Sequence, residues 1–449
     1  MKWRPLARLA LLAAAIAGAA GCAANNEPPA SPSASPTAST ATSPPTATAG
    51  GEQAPNPATG ENAPPSATVP PEASPSSAAP PSASEDPIRL KIRNMTPEEK
   101  IGQMVLAGIE GDELDDEAIK MIREHKIGGI ILYGDNISDV RGTVSLINAI
   151  KRVNAGNPAP IFIGVDQEGG RVSRLPDEVE PFPASAAVGA GGKPEQAEEM
   201  GNLLAEALLA FGLNMDFAPV LDVNSNPDNP VIGDRSFGSS AERVAEMGIA
   251  AMKGIRGGGV IPVVKHFPGH GDTSVDSHLD LPVVNKTPQQ LAKQEWLPFQ
   301  AAVKEQAEAI MVAHILFPKV DPKRPASLSK TIVGTQLREK MGYDGVVMTD
   351  DLGMGAIVKN YKLADAAADA VEAGVDILLI GHGYDNERAV FESLVRCVKD
   401  GTIAETRIDE SVYRILKLKE RARLSDEETE APDLDGLNAR IRDWRGRIE

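Results

Sequence analysis

Eight short apolar runs recur between residues 104 and 380, and nearly every one stops within two residues of an ionisable side chain. The runs are Met104–Ile109, Ile127–Leu132, Ile161–Val165, Met215–Val220, Val260–Val264, Ala309–Ala313, Gly345–Met348 and Val375–Ile380. Amphipathic stretches such as Gln196–Phe211, Ala241–Gly254, Pro288–Gln306 and Leu363–Ala373 separate them. Short strands that are apolar throughout, alternating with helices, indicate a parallel sheet covered on both faces. A doubly wound open sheet would gather its polar groups at one switch point. Here they follow nearly every strand: Asp166, Asp222, Lys265-His266, His314, Asp350-Asp351 and His382. Polar strand ends distributed around a ring are the pattern of a (β/α)8 TIM barrel.

The barrel domain is expected over 87–424, its first clear helix opening at Thr96-Pro97-Glu98-Glu99, a capping box with proline in the first turn. Residues 425–449 read as a loose C-terminal extension with a short helix. Residues 1–21 read as a targeting segment: Lys2, Arg4 and Arg8 precede an apolar run of about 13 residues, too short for the roughly 20 a membrane span needs. The run ends in Ala19-Ala20-Gly21-Cys22, which resembles a bacterial lipoprotein cleavage site with lipid on Cys22. Residues 22–86 are rich in Pro, Ser, Ala and Thr, too poor in apolar surface to fold, and span about 45 Å as a flexible tether. An extracytoplasmic, lipid-anchored monomer follows as the expectation.

The formal net charge is −18, more negative once the three basic residues of the leader are removed. That excludes nucleic acid as a charge-driven partner. Lipidation of Cys22 leaves Cys397 as the single thiol, so no intramolecular disulfide forms, and its helical surroundings mark it as a packed core residue.

The segment Lys265–His278 holds three of the six histidines and two aspartates beyond the fifth run. A metal site built from His266, His270, His278, Asp272 and Asp276 is one reading. Phe267-Pro268-Gly269 between the first two histidines rules out the shared helix face of an HExxH site, so no metal or cofactor is assigned. Glycoside hydrolysis is the stronger one, since it needs a carboxylate beneath the sugar and a proton donor at the leaving oxygen. Asp350 suits the first role because the sheet fixes its backbone, whereas Asp351 should point away. His278 suits the second, with Asp276 to orient its ring.

Four segments carry a family resemblance. They are Lys265-His266-Phe-Pro-Gly-His270-Gly-Asp272-Thr-Ser-Val-Asp276-Ser-His278, Gly164-Val-Asp166-Gln-Glu-Gly-Gly-Arg171, Asp234-Arg235-Ser-Phe-Gly238 and Met348-Thr-Asp350-Asp351-Leu352. Together they resemble the β-N-acetylhexosaminidases of glycoside hydrolase family 3, over about Thr96 to Ile415. The resemblance implies a TIM barrel and a retaining mechanism. It implies Asp350 as nucleophile, the Asp276–His278 dyad as acid/base on a mobile loop, and Asp166, Arg235, Lys265 and His266 around N-acetylglucosamine. The subgroup acts on cell-wall fragments, so peptidoglycan-derived saccharides are the expected substrates. Buried charges in such a pocket should pair with one another when no sugar is bound. A histidine base is neutral once deprotonated and repels phosphate less than a carboxylate would, which leaves phosphorolysis open as a side activity. His270 should position the loop, His314 and His382 line the rim or sit satisfied in the core, and His125 is expected in solvent. The competing readings are a family 3 β-glucosidase and a saccharide-binding lipoprotein without activity.

Overall fold

The computed structural model describes residues 86–448; the leader, Cys22 and nearly all of the tether lie outside them. Eight parallel strands are present: β1 (Val105–Ala107), β2 (Gly129–Leu132), β3 (Phe162–Val165), β4 (Met215–Asp216), β5 (Ile261–Phe267), β6 (Ala309–Val312), β7 (Val346–Thr349) and β8 (Leu378–Ile380). From β1 to β7 each pairs with its sequence neighbours, and β1 also pairs with β8 in the register Ala107↔Ile380. The last seam closes where Thr349 N donates to Ile377 O and Leu352 N to Leu379 O, at 3.0 and 2.9 Å. The result is the expected (β/α)8 barrel. All eight strands are buried along their whole length, which is why they read as continuous apolar runs rather than alternating ones.

The helices lay one apolar stripe on this barrel. Leu203, Leu204, Ala207, Leu208 and Phe211 of the Pro194–Phe211 helix are 5 % exposed or less. That helix ends at Gly212, whose φ of 89° suits glycine. The capping box at Thr96 forms as expected: Glu99 N donates to Thr96 Oγ1 at 3.2 Å and Thr96 N to the Glu99 carboxylate at 2.9 Å.

Several expectations need correction. Strand β5 does not stop at Val264 but continues through Lys265, His266 and Phe267, paired with Val220 on one side and Val312 on the other. Polar side chains at a strand's end broke the apolar run without breaking the ladder. The helix expected over Pro288–Gln306 is two helices, Pro288–Leu291 and Leu297–Lys304, the second opening with Pro298 in its first turn. Residues 425–448 are not loose. Asp426 accepts from Ile161 N at 3.0 Å, and the Asp435–Arg445 helix buries Leu437, Ile441 and Trp444, with Trp444 Nε1 donating to Gln196 O. His125 is half-buried and stacked on Phe391 at 4.3 Å rather than free in solvent. Cys397 is half-buried and packed against the core.

Candidate active site

Ionisable clusters occupy both ends of the barrel, but they differ in kind. At the N-terminal end Asp376 is fully buried, paired with Arg338, bonded to Ser411 and 3.3 Å from Arg414. Every charge there is spent on holding chain segments together. At the C-terminal strand ends a pocket opens, lined among others by Asp166, Arg235, Lys265, His266, His278 and Asp350. Of the predicted catalytic and sugar-binding residues only Asp276 stands outside its wall, bonded to His278.

The floor of the pocket is a quartet of alternating charge. Lys265 Nζ, reaching up from β5, donates to Asp166 at the end of β3 and lies 2.6 Å from Glu168. Arg235 clamps the same Glu168 through both oxygens, at 2.7 and 2.8 Å. The predicted pairing of buried charges is thus realised, with Glu168 as its hub. Burial opposes the Glu168 charge, yet the two cations prevail and hold its carboxyl at about 2. Burial likewise opposes the Lys265 charge, and Asp166 and Glu168 outweigh it, so its pKa is raised.

His266 is set by Asp222, beyond β4. The carboxylate accepts from ring Nδ1–H at 2.6 Å, leaving Nε2 to face Arg235 at 3.5 Å. Asp222 also accepts from His270 N at 2.6 Å, so one fully buried carboxylate ties β5 to the loop that follows.

Asp350 is half-buried at the tip of β7, its backbone fixed by donation from Asp350 N to Val312 O. Burial pushes its carboxyl up. The His266 and His314 rings and the N–H of Asp351, 2.9 Å from Oδ1, outweigh that and lower it, keeping the group anionic. Asp351, expected to point away, also borders the pocket, but its Oδ1 is engaged, accepting from Gly353 N and Gly381 N. The two undecided histidines separate cleanly. His314 is fully buried, bonded to Ser327 and Asp351 O, while His382 is largely exposed on the rim and stacks on Tyr133 at 4.5 Å.

The dyad forms as a contact. His278 Nδ1–H donates to Asp276 Oδ1 at 2.7 Å, and the backbone N–H of His278 donates to the same oxygen at 2.9 Å. Desolvation raises the Asp276 carboxyl, but those bonds and the imidazole charge lower it overall. With Nδ1 committed, Nε2 is the atom free to give or take a proton. The loop that carries the dyad is clasped from within by His270. Thr273 Oγ1 donates to His270 O, so its oxygen accepts from His270 Nδ1–H at 2.8 Å; Nε2 therefore accepts from the Ser277 hydroxyl at 3.0 Å. Burial holds the His270 ring neutral, its pKa pushed down to about 4. Both nitrogens are occupied within the loop, as a positioning role requires. Among the described residues no group of three His, Cys, Asp or Glu side chains converges as metal ligands.

Residues without an assigned role in the sequence also reach the pocket. Glu168 and Asp222 organise it from below, and Tyr133 and Arg174 line its wall. Among the described residues Arg174 has no carboxylate partner; its guanidinium donates to Ser173 O at 3.1 Å. Their places follow from contacts between distant strands, which no local spacing reveals.

The comparisons with known proteins agree with this geometry. A protein named Beta-hexosaminidase A from Pseudoalteromonas piscicida is 35 % identical over 331 residues, 68 % of this chain and 55 % of its own length. The chain therefore spans little more than half of that relative. Beta-hexosaminidase LpqI from Mycobacterium tuberculosis is 33 % identical, with 72 % of this chain and 83 % of that protein covered. Among solved structures, a glycoside hydrolase family 3 β-N-acetylglucosaminidase from Paenibacillus sp. superposes with a TM-score of 0.74 at 41 % identity, covering 78 % of this chain and 68 % of that one. The family described as Glycosyl hydrolase family 3 N terminal domain matches residues 96–418. A barrel with a carboxylate at the tip of β7, a histidine–aspartate pair above it and a match over most of the chain lead to one statement: the protein is a glycoside hydrolase and belongs to glycosyl hydrolase family 3.

Proposed function

We propose that this protein is a retaining exo-β-N-acetylglucosaminidase that removes terminal β-linked N-acetylglucosamine from cell-wall saccharides. The observation that carries the reading is the His278–Asp276 contact of 2.7 Å on a loop bordering the pocket that holds the anionic Asp350. Asp350 attacks the anomeric carbon while His278 Nε2 gives its proton to the departing oxygen, forming a glycosyl ester on Asp350. The imidazole, now neutral, takes a proton from water, which cleaves the ester and restores both groups. Asp276 holds the ring in one tautomer and stabilises the imidazolium. Asp166, Arg235, Lys265 and His266 hydrogen-bond the sugar, exchanging part of their mutual pairing for hydroxyl and acyl contacts. A pocket lined by strand-end residues and by the loop that carries the dyad suits a terminal sugar.

A fluorinated N-acetylglucosaminide should trap the ester. Digestion and mass spectrometry should place the label on Asp350, and a label elsewhere would falsify the assignment. His278→Ala should cost natural saccharides roughly 100- to 10,000-fold in kcat/KM. Aryl glycosides with good leaving groups should lose far less, because they need little protonation. Equal losses on both would argue against proton donation.

The leader and Cys22 support a protein tethered by lipid to the outer face of the cell membrane, working on saccharides within reach of its linker. Cys22→Ala should move the protein from the membrane to the soluble fraction in detergent phase partition. Retention at the membrane would refute the anchor. Among the described residues no helix is long and apolar enough to cross a membrane.

A further inference from the structure

The loop bearing the dyad has an inner side that is pinned and an outer side that is greasy. Inside, Ser277 is 1 % exposed and held by His270, Ala356 N donates to Ser277 O at 3.1 Å, and Gly355 N donates to His278 O at 3.2 Å. A side chain at Gly355 would meet His278 O at 2.6 Å and Leu279 O at 2.7 Å, so the loop sits flush on that glycine. Lys359 Nζ donates to Leu279 O at 2.6 Å, and Leu316 N and O bond Pro282 O and Val284 N. Outside, six large apolar side chains are exposed among the described residues, and four of them are Val275, Leu279, Val283 and Val358. Leu279, at 66 %, is the most exposed of all. Three of the four stand on the loop, and the fourth on the Gly355–Val358 helix against which it docks. Exposed aliphatic groups on a well-anchored loop mark a contact surface.

We infer that Leu279 and Val275 form an aglycone subsite that takes the apolar face of the departing unit, such as the C–H face or acyl methyl of a second amino sugar. This rests on the glycosidase reading above. The acid must lie within hydrogen-bond reach of the leaving oxygen, so whatever departs is on the His278 side of the pocket. Leu279 is the next residue along, and Val275 precedes Asp276. The patch is continuous with the pocket wall through His278 and Met354. The one ammonium bonded to the loop backbone there, Lys359, is committed to Leu279 O, and the charged residues adjoining Val275 and Leu279 in the chain, Asp276 and Asp280, are acidic. A neutral, apolar-faced aglycone fits that surface better than an anionic one. Because the surface is carried by the loop, aglycone contact and placement of the acid are coupled.

The test compares a β-N-acetylglucosaminyl disaccharide of acetylated amino sugars with β-N-acetylglucosaminyl azide, which has almost no aglycone. In Leu279→Ser/Val275→Ser the kcat/KM ratio of disaccharide to azide should fall about tenfold, the usual scale for a lost apolar contact. Leu209→Ser, as exposed as Val275 but on the Pro194–Phe211 helix, should leave the ratio where it is. An unchanged ratio in the double variant overturns the subsite. So does an equal fall on both substrates, which would mean that the two side chains only hold the loop. Failure of the unaltered protein to turn over either substrate would instead remove the glycosidase reading and the subsite with it.

Discussion

Asp350→Ala should lower turnover of every β-N-acetylglucosaminide by roughly ten-thousand-fold or more, good leaving groups included. No other group on the pocket wall duplicates it. Asp351 borders the pocket too, but its oxygens are engaged by Gly353 N, Gly381 N and His382. Asp166 is occupied by Lys265. The fold should be untouched, because Asp350 is half-buried, its side chain accepts only from the next N–H, and its backbone bond to Val312 needs no side chain. Steady-state assays on aryl and natural glycosides, with circular dichroism as a check on folding, decide it. An aryl glycoside turned over within tenfold of the unaltered rate would remove Asp350 from the nucleophile's role.

The largest expected loss of stability lies at Glu168, which touches the proposed chemistry only through its partners. Glu168→Gln leaves Lys265 and Arg235 as two buried cations with Asp166 alone to balance them, and an amide N–H₂ facing donors. Removing one partner from a buried ionic cluster costs about 3–5 kcal/mol. For a domain of this size the melting temperature should fall by roughly 4–7 °C. Thermal unfolding at neutral pH measures it, and a shift below about 2 °C would show that the quartet contributes little. The same carboxyl predicts the acid response. Its folded pKa of about 2 lies below the ordinary 4.5, so the unfolded chain binds the proton more readily. Its contribution to stability is complete above about pH 4.5 and is lost as the pH falls towards 2. Stability of the Gln variant should lack that component of the acid limb.

The barrel was legible because its strands are buried on both faces, which writes them as uninterrupted apolar runs such as Ile161–Val165 and Val346–Met348. The reading stopped short where chemistry intrudes on the sheet: Lys265 and His266 are strand residues that carry charge, and polarity alone made them look like loop. The packed C-terminal segment had a signal, Leu437, Ile441 and Trp444 at helical spacing, that its charged surroundings obscured. The dyad and the strand-tip acid were accessible because motif and local spacing carry them. Glu168 sat inside a quoted motif, and Asp222 at a noted strand end, yet neither showed its role. Their meaning lies in Arg235, Lys265 and His266, which are 44 to 97 positions away in sequence and adjacent only once the barrel closes.

The floor of the pocket holds two cations and two carboxylates, so at neutral pH its formal charges cancel. Such a floor exerts almost no long-range pull on an arriving molecule, and a sugar must be recognised at touching distance, by the directions of its hydroxyls. Ionic strength then has little leverage on how tightly an uncharged saccharide is held, even though the protein as a whole is strongly acidic.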